Sequence, residues 1–340
     1  MNSTPPTAEA AGTRGPARRP AAGPAVALLV LVALAALIPL LGPRPALDGT
    51  GEAAAPGVGG IALLRTVLFA ALCVPAGELF AARLAHRVPG APSLVAPRSW
   101  APYAAAAGFV AALGLASVVA TGNLLPHHLS DVDVGGLYRT RDGKLALLEV
   151  NAFAVAGLCA LSRRPAAQIW PLAVVAVAEA LRAHPPPEQD PLIGSGLTLV
   201  HVTCAALWAG GLPHVLRMLR AWGAWGAAEA GAALLGRYAR VAAVLFAVIT
   251  ATGVGSTLRR MPSGTVLDQL TSTSYGRALL AKLLLVAAVA VLALLARLRL
   301  RRSADRLGAG VPARGEVAAL GLVVAASGLL TALPLPIRWS

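Results

Sequence analysis

The sequence predicts an all-α fold, a polytopic transmembrane helix bundle of about nine spans. Hydrophobic residues make up 57% of the 340 residues and charged residues only 13%, and the mean hydropathy is +0.70. Soluble domains carry about 25% charged residues, so this chain has too few charges to cover a surface in water. Its apolar residues come in runs close to the roughly 20 residues that cross a bilayer, where helices satisfy the backbone groups.

Nine apolar runs, separated by short polar segments, give the number of spans. The runs lie at residues 24–41, 60–82, 101–122, 145–161, 166–182, 193–216, 240–258, 277–296 and 316–334. Residues 1–23 are rich in Pro, Ala and Arg, which predicts a disordered cytoplasmic tail. The first run follows three arginines, as in a signal peptide, but it is long and no clear small-residue cleavage site follows it. We therefore expect an uncleaved transmembrane anchor at residues 24–42.

The distribution of Lys and Arg predicts the orientation of the chain. With a cytoplasmic N-terminus, 18 of the 29 Lys and Arg residues fall on cytoplasmic segments and nine on external ones, while Arg65 and Lys282 lie inside spans. Eight acidic residues fall in the external loops. This is the positive-inside pattern, so we expect the N-terminus in the cytoplasm, the C-terminus outside and an odd number of spans.

The sequence disfavours several classes of function. The net charge of +14 does not indicate a nucleic-acid partner, because the basic residues are spread among short loops and are explained by orientation in the lipid bilayer. Cys73, Cys159 and Cys204 lie inside apolar runs without a CxxC pair, so neither a disulfide framework nor a zinc ribbon is indicated. There is no Walker A motif and no Ser-His-Asp or HExxH arrangement. We therefore do not expect an enzyme.

Two similar segments predict an internal duplication. Thr140–Glu149 and Thr273–Lys282 each begin with a polar loop, continue with Gly and a basic residue, and reach an ionisable residue six positions after the Gly. Upstream, at matching places, lie Ala120-Thr121-Gly122 and Ala251-Thr252-Gly253. We expect residues 60–190 and 191–340 to be parallel four-helix repeats. The alternative is chance similarity between Ala- and Leu-rich helices.

His201 is the strongest candidate for a functional residue, because ionisable residues inside spans are costly and are functional candidates. It lies in the sixth run, roughly 12 Å below the external boundary at about 1.5 Å per residue. Cys204 and Trp208 follow at i+3 and i+7 and share its helix face. An imidazole and a thiolate together suit a soft ion such as Cu(I). The alternative is a histidine hydrogen-bonded across helices, with Cys204 as a small packing residue.

A second histidine, His184, closes the fifth run at the predicted external face. The connection to the sixth run is short, so we expect His184 and His201 on adjacent helices at the same side of the membrane. Two imidazoles there suit a metal ion or a haem iron. Glu179 is close to His184 along the chain and is a candidate to orient it. The alternative for His184 is a solvated residue at the end of a helix.

Four further histidines lie near the predicted membrane surfaces, and His86, like His214, is at the cytoplasmic one. His127 and His128 share an external loop with Asp131 and Asp133, a group that suits capture of a divalent ion or docking of a periplasmic donor. A solvated polar loop is the favoured alternative. His214 lies near the cytoplasmic face, where a surface histidine is the default interpretation and an exit site for the ion is the alternative.

Glu149 and Lys282 occupy equivalent places in the two similar segments. If a pseudo-twofold axis relates the repeats, the two residues lie at equal depth, and a Lys–Glu pair would relieve the cost of two charges in hydrocarbon. Snorkelling of each side chain to the interface is the alternative.

A series of motifs from the sixth run to the end of the chain resembles a known family. The motifs are His201, Trp208-Ala-Gly210-Gly211-Leu212, Arg237-Tyr238-Ala-Arg240, Ala251-Thr-Gly253, Ser274-Tyr275-Gly276-Arg277 with Lys282, Arg314-Gly315-Glu316 and Pro334. In this order they are similar to the copper-resistance D (CopD) family, whose domain would cover residues 234–335 and whose wider pattern would reach back to residue 193. His201 and Lys282 match family positions. His184 matches only loosely, because Arg182-Ala183 replaces the usual glycine before it.

The resemblance implies a bacterial plasma-membrane protein of copper homeostasis or resistance that imports copper, often beside a periplasmic copper-binding partner of the CopC type. No CopC-like β-sandwich is fused to this chain, so such a donor would be separate. The alternatives are a haem-binding or cytochrome-oxidase-assembly protein, with His184 and His201 as axial ligands, and a structural subunit whose histidines only pack.

Overall fold

The computed structural model describes residues 22–53, 55–92, 95–122, 124, 128, 133–185, 190–261, 264–302 and 310–335, and within these ranges it contains helices and no strand. The helices are α1 Ala22–Leu41, α2 Pro43–Leu47, α3 Val58–Ala85, α4 Ala101–Thr121, α5 Val134–Arg139, α6 Arg141–Leu161, α7 Ile169–Arg182, α8 Pro191–Ala224, α9 Ala228–Arg260, α10 Val266–Ser272, α11 Ser274–Arg302 and α12 Gly310–Leu330. Each of the nine apolar runs coincides with one of these helices, so the all-α prediction is confirmed.

Six helices are long and apolar enough to cross a membrane: α3, α4, α6, α8, α9 and the first 22 residues of α11. Shorter apolar helical segments lie at Ala33–Leu47 and Val317–Leu330. Helix α7 is 14 residues long, because the predicted run 166–182 is divided between this helix and a 3₁₀ turn at Pro165–Gln168. The described residues therefore form a multi-pass membrane protein, while the count of nine spans and the orientation remain predictions.

Helix α3 organises the bundle, since it packs against α1, α4, α8 and α12. At its contact with α8 the two helix backbones approach closely. Gly77 and Gly210 face each other backbone to backbone, and a Cβ on either glycine would overlap the opposite helix. Small residues at such crossings let membrane helices approach closely. This crossing joins the two halves that the sequence predicts to be repeats.

Replacing Gly210 by alanine is expected to lower the melting temperature of the protein in detergent. The added methyl group would meet the Cys73 carbonyl oxygen in the backbone of α3, and overpacking of this kind costs about 1–3 kcal/mol. Gly223→Ala is the matched control, because a Cβ at Gly223 meets nothing within 4 Å. Thermal unfolding followed by size-exclusion chromatography compares the two variants. Equal melting temperatures for Gly210→Ala and the wild type would contradict the close crossing.

The two predicted repeats share several packing relationships. Helix α3 packs on α4 as α8 packs on α9, α6 packs on α7 as α11 packs on α12, and α7 contacts α8 as α12 contacts α3. Gly77 and Gly210, where α3 crosses α8, are separated by the same number of residues as Gly143 and Gly276. The halves differ in that α4 packs along α6, while α9 and α11 make no comparable contact among the described residues.

The local structures of the two similar segments also correspond. Thr140 Oγ1 accepts a hydrogen bond from the Gly143 N–H at 3.1 Å, and Thr273 Oγ1 accepts one from the Gly276 N–H at 3.0 Å. Each glycine lies against the short helix before it, α5 or α10, where a Cβ would overlap backbone atoms. These correspondences favour a duplication at 60–190 and 191–340, which remains a prediction.

Candidate functional site

His201 lies in α8 and faces α9. Its Nδ1 is 3.0 Å from Thr252 Oγ1, and Gly253 lies beside the partly buried ring, with an added Cβ falling 3.5 Å from His201 Cε1. The structure thus brings together two motifs that are far apart in the sequence, the histidine and the Ala251-Thr252-Gly253 segment. This segment lies within α9, whereas its counterpart ends α4 at Thr121.

The hydrogen bonds of Thr252 assign the tautomer of the neutral His201 ring. Thr252 Oγ1 lies 2.8 Å from the Val248 carbonyl oxygen and 3.1 Å from that of Ile249, and a hydroxyl has one proton to donate. With that proton directed to the helix carbonyls, Oγ1 accepts from the ring, so Nδ1 carries the ring proton. Nε2 then keeps its lone pair and is the atom able to bind a metal ion.

Cys204 lies one helical turn beyond His201. It is a free, partly buried thiol that packs against the hydrophobic cluster containing Trp208. The described contacts do not join His184 to this place. Within the part of the chain that the structure describes, no group of three or more His, Cys, Asp or Glu side chains is placed to hold a metal ion. A metal ion at His201 would therefore have few protein ligands, with Cys204 the nearest sulfur along the helix.

Trp208 stabilises the contact between α8 and α9. Its ring lies edge-on to Phe246, with the ring centroids 5.4 Å apart, and its backbone carbonyl accepts a hydrogen bond from Tyr238 Oη at 2.7 Å. Gly211 gives the Tyr238 ring room, because a Cβ there would lie 2.9 Å from Tyr238 Cε2. The Trp208-to-Leu212 motif is thus explained by packing, and the residues around Trp208 position the helix that carries His201.

Lys282 lies in α11, one of the helices of the CopD domain. Its partly buried side chain forms no hydrogen bond or ion pair with any residue that the structure describes. The predicted pair between Lys282 and Glu149 is wrong, because Glu149 Oε2 accepts a hydrogen bond from Arg182 Nη1 at 2.8 Å. Helix α6 packs against α7, which supplies Glu149 with an arginine from the neighbouring helix.

Four buried charged side chains from three helices form what we call the charge cluster: Arg65 of α3, Glu149 of α6, and Glu179 and Arg182 of α7. Arg65 Nη1 donates to both carboxylate oxygens of Glu179, at 2.7 and 2.8 Å. Arg182 Nη1 donates to Glu149 Oε2 at 2.8 Å and to Glu179 Oε1 at 2.9 Å. The carboxylate of Glu179 is therefore held by two arginines, and the expectation that it orients His184 is wrong.

This cluster was not predicted from the sequence, although each of its carboxylates was a candidate for another role. Arg65 was placed inside a span without a partner. The signal present in the sequence is the Glu179–Arg182 pair at i,i+3 within an apolar run, together with an arginine and a glutamate in two other runs. Charges of both signs in neighbouring spans favour a shared buried network.

His184 is 1% exposed and lies between α7 and α8, so the interpretation as a solvated residue is wrong. Its Nε2 is 2.9 Å from Thr198 Oγ1, and its ring lies against Gly194, where a Cβ would overlap it. Arg141 of α6 and Arg260 of α9 donate hydrogen bonds to backbone carbonyl groups of the same turn. This region, where α7 ends and α8 begins, is referred to below as the His184 end of the bundle.

The predicted external histidine pair is only partly visible. His127 and Asp131 lie outside the described residues. His128 is exposed, and Asp133 accepts a hydrogen bond from the Gly136 N–H at 2.8 Å as the N-cap of α5. Capture of an ion by this loop remains a prediction.

The interpretation of His214 as a surface residue is wrong, because the side chain is buried at the end of the bundle opposite His184. Its Nδ1 lies 3.6 Å from Glu78 Oε1, and the same carboxylate accepts from Ser99 Oγ, from the Trp100 N–H and from Arg217 Nη1. The close crossing of α3 and α8 explains the burial, since Glu78 and His214 lie on these two helices within about one turn of it.

Comparison with known proteins identifies a domain in the second half of the chain. Residues 232–334 match the family model of copper resistance protein D, CopD, which agrees with the domain expected at 234–335. The matched segment contains Thr252, Gly253 and Lys282, and it begins after His201 in the chain. No curated protein and no solved structure matches the chain. The chain is therefore a multi-pass membrane protein that contains a CopD domain at residues 232–334.

Proposed function

We propose that this protein carries copper across the plasma membrane, with His201 as the residue that holds the ion inside the bundle. The observation that supports this proposal is the contact between His201 and the CopD domain. Thr252 of that domain orients the ring and leaves Nε2 with a lone pair. A metal-binding histidine usually has its other nitrogen fixed by a hydrogen bond of this kind.

The chemistry around His201 favours Cu(I) as the form that is carried. An imidazole nitrogen and the thiol of Cys204 are ligands that suit a soft ion. Neither the described surroundings of His201 nor the described part of the chain supplies a larger ligand group, which disfavours ions that need many oxygen ligands. Cu(I) is a d¹⁰ ion that accepts low coordination numbers, so a site of this size suffices.

The presence of Lys282 favours a transport site, which an ion passes through, over a storage site, which holds the ion tightly. An ammonium group inside the same helix bundle repels a second cation and so weakens its binding. Conduction requires binding that is favourable enough for entry and weak enough for release. Copper is in this view a transported substrate, and the protein is a carrier rather than an enzyme.

The proposed route begins at the His184 end, which the positive-inside pattern places outside the cytoplasm. His127 and His128 belong to a connection at this end, between α4 and α6, and would collect the ion there, either from solution or from a separate periplasmic donor of the CopC type. His184 lies at the entrance as a buried contact between α7 and α8. Haem is not proposed, because the family match lends it no support.

Uptake by reconstituted vesicles tests the proposal. Vesicles that contain the purified protein are expected to accumulate Cu(I) faster than empty vesicles, and Ag(I), another soft d¹⁰ ion, is expected to compete while Zn(II) is not. Metal analysis and a visible spectrum of the same sample report bound copper and haem. Equal accumulation by protein-containing and empty vesicles would refute transport, and a Soret band that disappears in His201→Ala would replace it with haem binding.

A further inference from the structure

The charge cluster lies outside the matched CopD domain and has no part in the copper site described above. We propose that Glu149 in this cluster binds and releases a proton, and that a proton on Glu149 and a Cu(I) ion at His201 exclude one another. The inference rests on the proposed copper function for its second part only. Its first part, proton exchange at Glu149, depends on the geometry of the cluster alone.

The hydrogen bonds distinguish the two carboxylates. Glu179 accepts three charge-assisted bonds, two from Arg65 Nη1 and one from Arg182 Nη1. Glu149 accepts a single bond, from the same Arg182 Nη1. Its other oxygen, Oε1, is buried without a hydrogen-bond partner among the described residues, and the side chain is 1% exposed. Glu149 is therefore the carboxylate with the weakest compensation for a negative charge.

Burying a carboxyl oxygen without a hydrogen-bond partner costs far less free energy when the group is neutral than when it is ionised. The charged groups that face Glu149 come from α3, with Arg65, and from α7, with Glu179 and Arg182. Among the other elements packed against α6, α4 and the 3₁₀ turn at Pro165–Gln168 have no charged residue. Helix α5 contributes Arg139, whose exposed side chain pairs with Asp133. Asp142, at the exposed start of α6, acts on Arg182. No lysine or histidine within the described cluster competes with Glu149 for the proton.

The cluster is partly exposed at one end of the bundle. Arg182 is the last residue of α7, and its side chain is 11% exposed, with that of Arg65 15% exposed. The cluster therefore lies close to the His184 end of the bundle, where α7 stops. A proton leaving Glu149 reaches water at this end past the arginine side chains.

Charge balance links the proton to the metal ion. With both carboxylates ionised, two arginines and two glutamates sum to zero, and with Glu149 protonated the cluster carries one positive charge. A Cu(I) ion at His201 also adds one positive charge. Two such charges in one low-dielectric bundle repel each other. When Cu(I) binds the lone pair of His201 Nε2, the carboxyl proton of Glu149 leaves for water, so that one positive charge arrives and one departs.

A short path of contacts joins the two places. Arg182 is two residues from His184, whose ring is hydrogen-bonded to Thr198 of α8, and His201 follows three residues later on the same helix. These contacts connect the cluster to the helix that carries His201. Binding linkage of this kind is reciprocal, so copper lowers the affinity for the proton by the same factor as the proton lowers that for copper.

Infrared spectroscopy tests proton exchange without copper. In a pH titration of the wild-type protein in detergent, we expect a carbonyl band of a protonated carboxyl group that Glu149→Gln removes and Asp142→Asn, a change at an exposed carboxylate of the same helix, retains. Glutamine keeps an acceptor for Arg182. If Glu149→Gln does not fold, the wild-type titration still decides the question, since the absence of any such band overturns the proposal.

Proton release on copper binding tests the exclusion. Adding Cu(I) to the weakly buffered wild-type protein is expected to release about one proton more per bound ion than adding it to Glu149→Gln. Both proteins keep Cys204, so any proton that the thiol loses on binding copper cancels in the difference. Equal release by the wild type and Glu149→Gln overturns the exclusion, even if vesicles take up copper. Glu149-dependent release without uptake by vesicles supports the inference and refutes transport.

Discussion

Replacing His201 by alanine is expected to abolish the uptake of Cu(I) by reconstituted vesicles and to remove the bound copper from the purified protein. The imidazole is the proposed nitrogen ligand, and Thr252 orients it inside the bundle. Cys204 alone leaves the ion without its nitrogen ligand. The fold should survive, because the partly buried ring rests on a glycine of α9 and its loss opens only a modest space.

Thr252→Val provides a graded version of the same test. The variant keeps the ligand and removes the hydroxyl that accepts from Nδ1, and loss of such a partner typically lowers metal affinity about 10- to 100-fold. His86→Ala is the matched control, since His86 is exposed at the end of α3 and should bind and transport as the wild type does. Copper stoichiometry and affinity, measured by competition with a Cu(I) chelator, separate the three variants. Wild-type affinity in His201→Ala would exclude this residue as the ligand.

The helices could be predicted because apolar runs record the thickness of the bilayer. The ends of the helices could not be predicted in this way, since a helix continues past its apolar run wherever its residues still pack against other elements. Helix α8 continues past the end of its run, residue 216, to Ala224, and the buried Trp222 donates to the Val95 carbonyl oxygen at 2.9 Å. Helix α9 begins at Ala228, 12 residues before its run, and Leu234 is buried there. These extensions carry contacts that hydropathy alone does not record.

The sequence predicted which residues of the candidate site share one helix, but not which residues of other helices they contact. Helical periodicity placed His201, Cys204 and Trp208 on one face, and the structure keeps this spacing within α8. Which helix that face meets depends on packing, and neither the Thr252 contact nor the tautomer follows from spacing. The predicted symmetry paired Glu149 with Lys282, whereas the neighbouring helix α7 supplies Arg182. Equivalent positions in a repeat share depth and surroundings, but nothing obliges them to touch.

Glu179→Ala is expected to destabilise the protein by about 3–5 kcal/mol, the usual effect of removing one partner from a buried ion pair. Arg65 loses both of its hydrogen bonds in the cluster and Arg182 loses one of two, so two guanidinium groups remain buried with one carboxylate. Thermal unfolding in detergent measures the change. Arg139→Ala is the control, because it removes the exposed pair with Asp133, whose side chains are 76% and 60% exposed, and exposed pairs contribute about 1 kcal/mol or less.

A double variant decides whether the cluster is kept for stability. Replacing both Arg65 and Glu179 by methionine removes one charge of each sign and leaves Arg182 paired with Glu149. Because a buried pair replaced by apolar residues of similar size is often neutral or stabilising, this variant should be more stable than Glu179→Ala. A double variant no more stable than Glu179→Ala would mean that the hydrogen bonds themselves hold α3 to α7. If stability recovers, the fold does not require the Arg65–Glu179 pair. The remaining reason for two carboxylates is then that Glu179 balances the charge of Arg182 when the neighbouring Glu149 binds a proton.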